Sequence, residues 1–160
     1  MATTNSAGQP GKYLTFVLVD EEYAFPVGHV REIVRITDIT VVPRMPAHVR
    51  GVINLRGKVV PVMDLRIRFN LRAEPPTDET CIIVTETSIG DRRVVFGAIV
   101  DRVSEVLNVS AEEIEDRPDF GERLDTQYML GIAKVKGRIK ILLDLDQMLA
   151  DDARLTSRAA

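Results

Sequence analysis

Two histidines, one cysteine and a few recurring carboxylates are the residues of this 160-residue chain that could do chemistry. A metal centre or a general base would need His29 and His48 to have partners at fixed spacing, and neither has them. Asp20, Glu21 and Glu22 are adjacent and could suggest a cation site, but they fall between two strand-like runs, where turn composition explains them. Asp64 and Asp144 occupy matching places in a repeat described below. They suggest a carboxylate dyad, although helix capping accounts for both more simply. Cys81 stands alone, so no internal disulfide can form, and its apolar run Cys81-Ile-Ile-Val84 reads as core. Gly51, Gly57 and Gly131 form no phosphate loop, because none lies in a Gly-rich turn between a strand and a helix. No Ser, Cys or Thr has a nucleophile motif around it. We therefore expect no enzyme, no metal and no cofactor.

The elements carrying these residues are organised by a repeat. Gly51 to Leu65 reads Gly-Val-Ile-Asn-Leu-Arg-Gly-Lys-Val-Val-Pro-Val-Met-Asp-Leu, and Gly131 to Leu145 reads Gly-Ile-Ala-Lys-Val-Lys-Gly-Arg-Ile-Lys-Ile-Leu-Leu-Asp-Leu. The two align without a gap, and each reads as a β-hairpin. Gly57 and Gly137 suit the positive φ of a tight turn. Basic residues flank both glycines: Arg56 and Lys58, Lys136 and Arg138. Pro61 has no N–H to donate, which predicts an edge strand or a break there. A second echo, at a different offset, relates Val27-x-x-Val30-x-Glu32-Ile33-Val34 to Val100-x-x-Val103-x-Glu105-Val106-Leu107. The chain thus reads as two copies of one small β unit.

Further strands are expected at Tyr13 to Val19, Tyr23 to Val27, Ile36 to Val42, Cys81 to Thr85 and Arg93 to Val100. The helical spacing of Val27, Val30 and Val34 predicts about two turns of helix, and Val100, Val103, Val106 and Leu107 repeat that spacing. Ser110 to Glu113 has capping-box spacing. Asn70 to Glu79, with Pro75-Pro76, is the linker. The expected domain is residues 13–150: a first lobe at about 13–74, a second at about 80–145 and a short helix at 144–150. The tails 1–12 and 151–160 should be disordered or frayed. Short strands and regular turns make the fold mostly β, with two packed small barrels and short helices. A chain of this length buries roughly 70% of its unfolded surface.

Composition is ordinary for a globular protein, 45% hydrophobic and 28% charged with a net charge of −3. No signal-peptide pattern and no membrane-spanning apolar run is present, so the cytoplasm is expected. Charge is segregated. From Arg44 to Arg72 the basic residues are Arg44, Arg50, Arg56, Lys58, Arg66, Arg68 and Arg72, against Asp64 alone. From Asp101 to Asp125 acids dominate, among them Glu105, Glu112, Glu113, Glu115, Asp116, Asp119 and Glu122. The contrast fits either two solvated faces or head-to-tail docking, including weak self-association in arrays. A nucleic-acid-binding barrel is the alternative. The basic segment offers only Phe69 as an aromatic, where a binding surface would combine stacking with charge.

The hairpin Gly51 to Arg66 resembles the signature of the bacterial chemotaxis coupling family, the CheW-like domains. The resemblance runs from about Tyr13 to Leu149. It is supported by Val30-Arg-Glu-Ile33, Gly97-Ala-Ile-Val-Asp-Arg-Val-Ser-Glu-Val106 and Tyr128-Met-Leu-Gly131. The regulatory domain of the histidine kinase CheA and the front half of CheV share much of this pattern, but no kinase, phosphotransfer or receiver segment accompanies it here. The resemblance implies two SH3-like five-stranded barrels packed on a shared core. It also implies a non-enzymatic adaptor joining the cytoplasmic tips of methyl-accepting chemoreceptors to the CheA regulatory domain. Glu32 and Arg56 match the family's helix Glu and hairpin Arg, which are linked to receptor coupling. Val30, Ile33, Ile99 and Val100 are candidates for an apolar groove taking a receptor helix. Pro43, Arg44 and Met45 are candidates for a kinase-facing edge. No direct insertion into the membrane is implied.

Overall fold

The computed structural model describes residues 9–115 and 128–149. In chain order the strands are β1 Gly11–Leu18, β2 Glu21–Pro26, β3 Val30–Arg35, β4 Val49–Leu55, β5 Lys58–Asp64, β6 Cys81–Ile89, β7 Arg92–Val100, β8 Arg102–Val109, β9 Ile114–Glu115, β10 Met129–Val135 and β11 Arg138–Leu143. Helix is confined to α1 (Leu65–Arg68), α2 (residues 145–149) and 3-10 turns at Val27–His29 and Ala111–Glu113. The architecture is mostly β, as expected, with two sheets. One has the order β8-β1-β2-β11-β10-β9 and the other β3-β6-β7-β5-β4.

The repeat is realised in backbone detail. Hairpins β4–β5 and β10–β11 close through Arg56-Gly57 and Lys136-Gly137, and all four residues have positive φ (54, 88, 53 and 77°). This is the mirror-image turn that matches strand twist. Both hairpins shift register beside the matched glycines, between Val49 and Gly51 and between Met129 and Gly131. The Asp64 amide donates to the His48 carbonyl at 2.8 Å, and the Asp144 amide donates to the Tyr128 carbonyl at 2.7 Å. Each return strand then pairs in parallel with a distant strand, β5 with β7 and β11 with β2. Pro61 is accommodated in an interior strand because the parallel ladder begins one residue later, at Val62. The amide and carbonyl of its partner Val52 bond Thr40 instead, at 2.9 Å each.

The sheets do not follow the halves of the chain. The five-stranded sheet takes β3, β4 and β5 from before the linker and β6 and β7 from after it, while β1 and β2 join the late strands. The expected division at residues 74–80 is therefore not the division of the sheets. Of the expected N-terminal tail 1–12, Gly11 and Lys12 are the start of β1, paired with β8; residues 1–8, those beyond 149 and the acids Asp116, Asp119, Glu122 and Asp125 lie outside the described residues.

Two expected helices are strands. Residues 27–34 form a 3-10 turn and then β3, and residues 102–109 form β8. A spacing of four, as in Val30 to Val34 and Val103 to Leu107, belongs to both the helical and the strand period. A bulge in each strand supplies the other irregular steps. The register breaks between Val30 and Glu32 in β3, and between the partners of Val103 and Glu105 in β8. The two echo segments thus match as bulged strands. Residues 36–42 contribute only the isolated bridge from Thr40 to Val52.

The main core draws on both sheets. Leu14, Phe16, Leu18 and Phe25 pack with Ile83, Phe96, Ala98 and Val100, capped by Leu65 and Met148 of the two helices. The close approach of Thr40 to β4 demands a glycine. A Cβ on Gly51 (φ 143°) would lie 2.0 Å from the Thr40 carbonyl oxygen, whereas one on Gly57 (φ 88°) would meet nothing within 4 Å. Gly57→Ala should cost about 1 kcal/mol, the conformational term alone. Gly51→Ala should cost at least about 2–3 kcal/mol more in urea unfolding, because backbone must move.

Candidate functional site

Arg56 is held out from the chain by its turn. Asn54 Oδ1 accepts the Gly57 amide at 2.8 Å, fixing the left-handed conformation that projects the Arg56 side chain. The guanidinium donates to both carboxylate oxygens of Glu32, with Nη1 3.2 Å from Oε1 and Nη2 bonded to Oε2. Glu32 lies on β3, a strand rather than a helix, and Arg56 follows β4. Those strands are the two edges of the five-stranded sheet. The ion pair therefore straps the open side of the sheet, as the Thr40–Val52 bridge does through the backbone. Beside it is a groove of about 250 Å³, floored by Leu55, Val60, Val84 and Val95 and rimmed by Arg31 and Lys58. Bonding to Arg56 holds the Glu32 carboxyl below the ordinary glutamate range.

A second charge cluster lies on the same face. Glu86 accepts from Arg31 and, at 2.7 Å, from Arg93 Nε. The bond from Arg31 is the main cause holding the Glu86 carboxyl below its usual range. Lys58 adds to that effect, which places the two clusters in one electrostatic neighbourhood. His29 shares a 3.1 Å hydrogen bond between Nδ1 and the Glu86 carbonyl. It is a positioned side chain, and no group of three metal-ligating residues occurs among the described residues.

The other expected site residues separate. Ile33 is 45% exposed, and Val30 is half-buried at the start of the same strand. Ile99 and Val100 are 1% and 0% exposed and belong to the core. Their strand β7 is flanked by β6 and β5, so they present no groove. Pro43 and Arg44 are exposed and Met45 half-buried in the loop after Thr40. Val41, which sequence reasoning passed over, stands 75% exposed beside them.

Sequence reasoning placed Arg66 on a basic surface, but it is 3% exposed. Its Nε and Nη2 donate to the two oxygens of Asp64, each at 3.0 Å, and its Nη1 donates to Asp101 at 2.8 Å and the Glu74 carbonyl at 3.2 Å. Asp64 does cap α1, accepting the Arg66 amide at 3.0 Å, but the buried ion pair is its larger role. Glu22 of the acidic triplet is likewise committed, to Lys140 at the matched register of β2 and β11. Cys81 is half-buried, and burial pushes its thiol pKa up, the opposite of an activated nucleophile.

The basic residues are also largely committed: Arg31, Arg50, Arg56, Arg66 and Arg93 each face a carboxylate. Phe69, the one aromatic of the basic segment, stacks on Tyr23 with ring centroids 6.0 Å apart. This arrangement does not favour a nucleic-acid surface. The fold and its outward-facing polar clusters instead define a β scaffold that works through its surfaces.

Residues 12–153 match the CheW-like domain model, and the chain belongs to that family. It is 36% identical to the chemotaxis protein CheW of Klebsiella aerogenes over 88% of this chain and 82% of that one. It is 38% identical to the CheW of Bacillus subtilis over 86% of each. The crystal structure of the scaffolding protein TtCheW from Thermoanaerobacter tengcongensis superposes with a TM-score of 0.73 at 35% identity, covering 84% of this chain and 89% of that one. The chain is a chemotaxis adaptor of the scaffold type.

The strap can be read by titration. The Glu32 carboxyl should titrate below a free glutamate, so the pair survives as pH falls through the ordinary glutamate range and is lost only at lower pH. Arg56→Ala should return the Glu32 pKa toward the ordinary value in a carbon-detected NMR titration. An unchanged value would mean that the pair is not formed in solution.

Proposed function

We propose that the chain couples chemoreceptor cytoplasmic tips to the regulatory domain of the histidine kinase CheA, at the cytoplasmic face of membrane-receptor arrays and without chemistry of its own. The observation that carries this reading is the Glu32–Arg56 strap across the open edge of the five-stranded sheet. It fixes a polar marker beside an apolar groove, and Ile33, the next residue on β3, is exposed on the opposite face of that strand. An amphipathic receptor helix suits such a surface, laying apolar residues into the groove and polar ones against the strap. Val30, Glu32, Ile33 and Arg56 form the receptor-facing set. Pro43, Arg44 and Met45, joined by Val41, form the kinase-facing edge.

Charge supports docking between similar folds. Residues 30–64 and 81–100, which build the five-stranded sheet, carry eight basic and five acidic residues. Residues 11–29, 101–115 and 128–149 carry six basic and ten acidic residues. Opposed fields of this kind steer a head-to-tail approach to the kinase regulatory domain and permit weak contact between copies.

The test is a pull-down with a purified kinase regulatory domain and a receptor cytoplasmic fragment. Both should bind, and Arg56→Ala and Ile33→Asp should each weaken receptor capture about tenfold while leaving the far-UV spectrum unchanged. Pro43 and Arg44 replaced together by Gly and Ala should weaken kinase capture and spare receptor capture. Failure of the unaltered chain to bind either partner would sink the reading.

A further inference from the structure

Among the described residues the two sheets share no strand ladder, so their relative orientation rests on what passes between them. The mixed apolar core holds them together, but apolar contact is non-directional. Direction comes from polar links such as that from Thr87 of β6 to Asp146, and another is built on the buried Arg66. This residue follows β5 of the five-stranded sheet through α1. Asp101 lies where the chain crosses from β7 to β8, between the two sheets. Its Oδ1 takes Arg66 Nη1 at 2.8 Å, and its Oδ2 takes the Val19 amide at 2.6 Å. Its own amide donates to the Val17 carbonyl of β1 at 3.1 Å. One carboxylate thus ties a buried cation of one sheet to the β1–β2 turn of the other.

That turn carries a mark of constraint. Val19 has φ 60°, a conformation that β-branched residues rarely adopt, and its side chain is 43% exposed. A strained residue with little burial persists only where its surroundings fix it. The bond to Asp101 is what fixes it here. At the end of the same helix, Phe69 stacks on Tyr23 of β2, and Arg68 donates to the Tyr128 hydroxyl at 2.5 Å.

We propose that Arg66 and Asp101 are positioning residues for coupling: they lock the angle between the sheets and so set the geometry in which two partners are held at once. The proposal rests on the functional reading above, because an adaptor with partners on both sheets transmits only as much geometry as the sheets preserve. Neither residue touches the receptor-facing or kinase-facing set. Loss of the lock should therefore spare each binding event and impair their combination.

Asp101→Asn keeps size and shape and leaves Asp64 to neutralise Arg66, so the fold should survive. Spin labels at Val59→Cys and Ile139→Cys, in a Cys81→Ala background, report on matched positions of the two hairpins. Pulsed dipolar spectroscopy should give a narrow distance distribution for the unaltered lock and one at least twice as wide for Asp101→Asn. Binary capture of the kinase domain and of the receptor fragment should each stay within twofold. Receptor-dependent kinase control in the reconstituted three-component complex should fall at least fivefold, and Asp101→Glu should recover some of it. Equal distance widths, or full coupling by Asp101→Asn, would overturn the proposal. So would a parallel loss of both binary captures, which would mark a merely structural role. An unaltered chain that binds neither partner would overturn the functional reading itself, whatever the label distances.

Discussion

A guanidinium that is almost wholly withdrawn from water places a strong constraint on this fold. Arg66 must find acceptors for nearly all its donors, because an unpaired buried charge costs several kcal/mol. It finds them on Asp64, on Asp101 and on the Glu74 carbonyl. Those groups come from the end of β5, the crossing between the sheets and the linker. Satisfying one side chain therefore brings the nearby Asp64 and Glu74 together with the distant crossing at Asp101. Removing one partner of a pair this deep typically costs about 3–5 kcal/mol. The net gain over an apolar core is small by comparison, so the group contributes specificity of arrangement more than stability.

The duplicated unit gives that constraint its asymmetry. The two hairpins share turn geometry, bulge position and the amide bond that starts the following helix. They diverge just beyond the matched aspartates. Where the first copy has Arg66, the second has Asp146, which accepts from the Thr87 hydroxyl. Asp144 keeps the capping role alone, accepting the Gln147 amide at 3.0 Å. The first copy thus links the sheets through Arg66, and the second links them through Asp146 and closes the core with Leu145, Met148 and Leu149. The exposed residues follow the duplication too. Val59 and Ile139 match by the hairpin offset, Ile33 and Val106 by the second echo, and all four are large apolar residues left open to solvent.

Much of this was legible before any coordinates. The hairpins, their glycine turns, the linker, the mostly β class and the family resemblance follow from residue type and spacing alone. The helices expected at Val27 and Val100 failed for a physical reason. A spacing of four fits two periods, and bulges at Arg31 and Ser104 disguised the alternation. Sheet membership was hidden because strands exchange across the linker, and no local pattern records which distant strand an edge will meet. Arg66 looked like one more surface cation because charge predicts exposure on average. Ile99 and Val100 looked like groove residues because sequence cannot tell an interior strand from an edge.

On this proposal the surfaces of the scaffold act together because the body between them is stiff. The Glu32–Arg56 strap, the acidic and basic sheets and the exposed apolar residues all assume two sheets that behave as one unit. Differential scanning calorimetry of the whole chain tests that assumption most directly. A single transition, with calorimetric and van't Hoff enthalpies in agreement, is the expected result. Two resolved transitions, or a calorimetric enthalpy well above the van't Hoff value, would show sheets that melt independently and would contradict it.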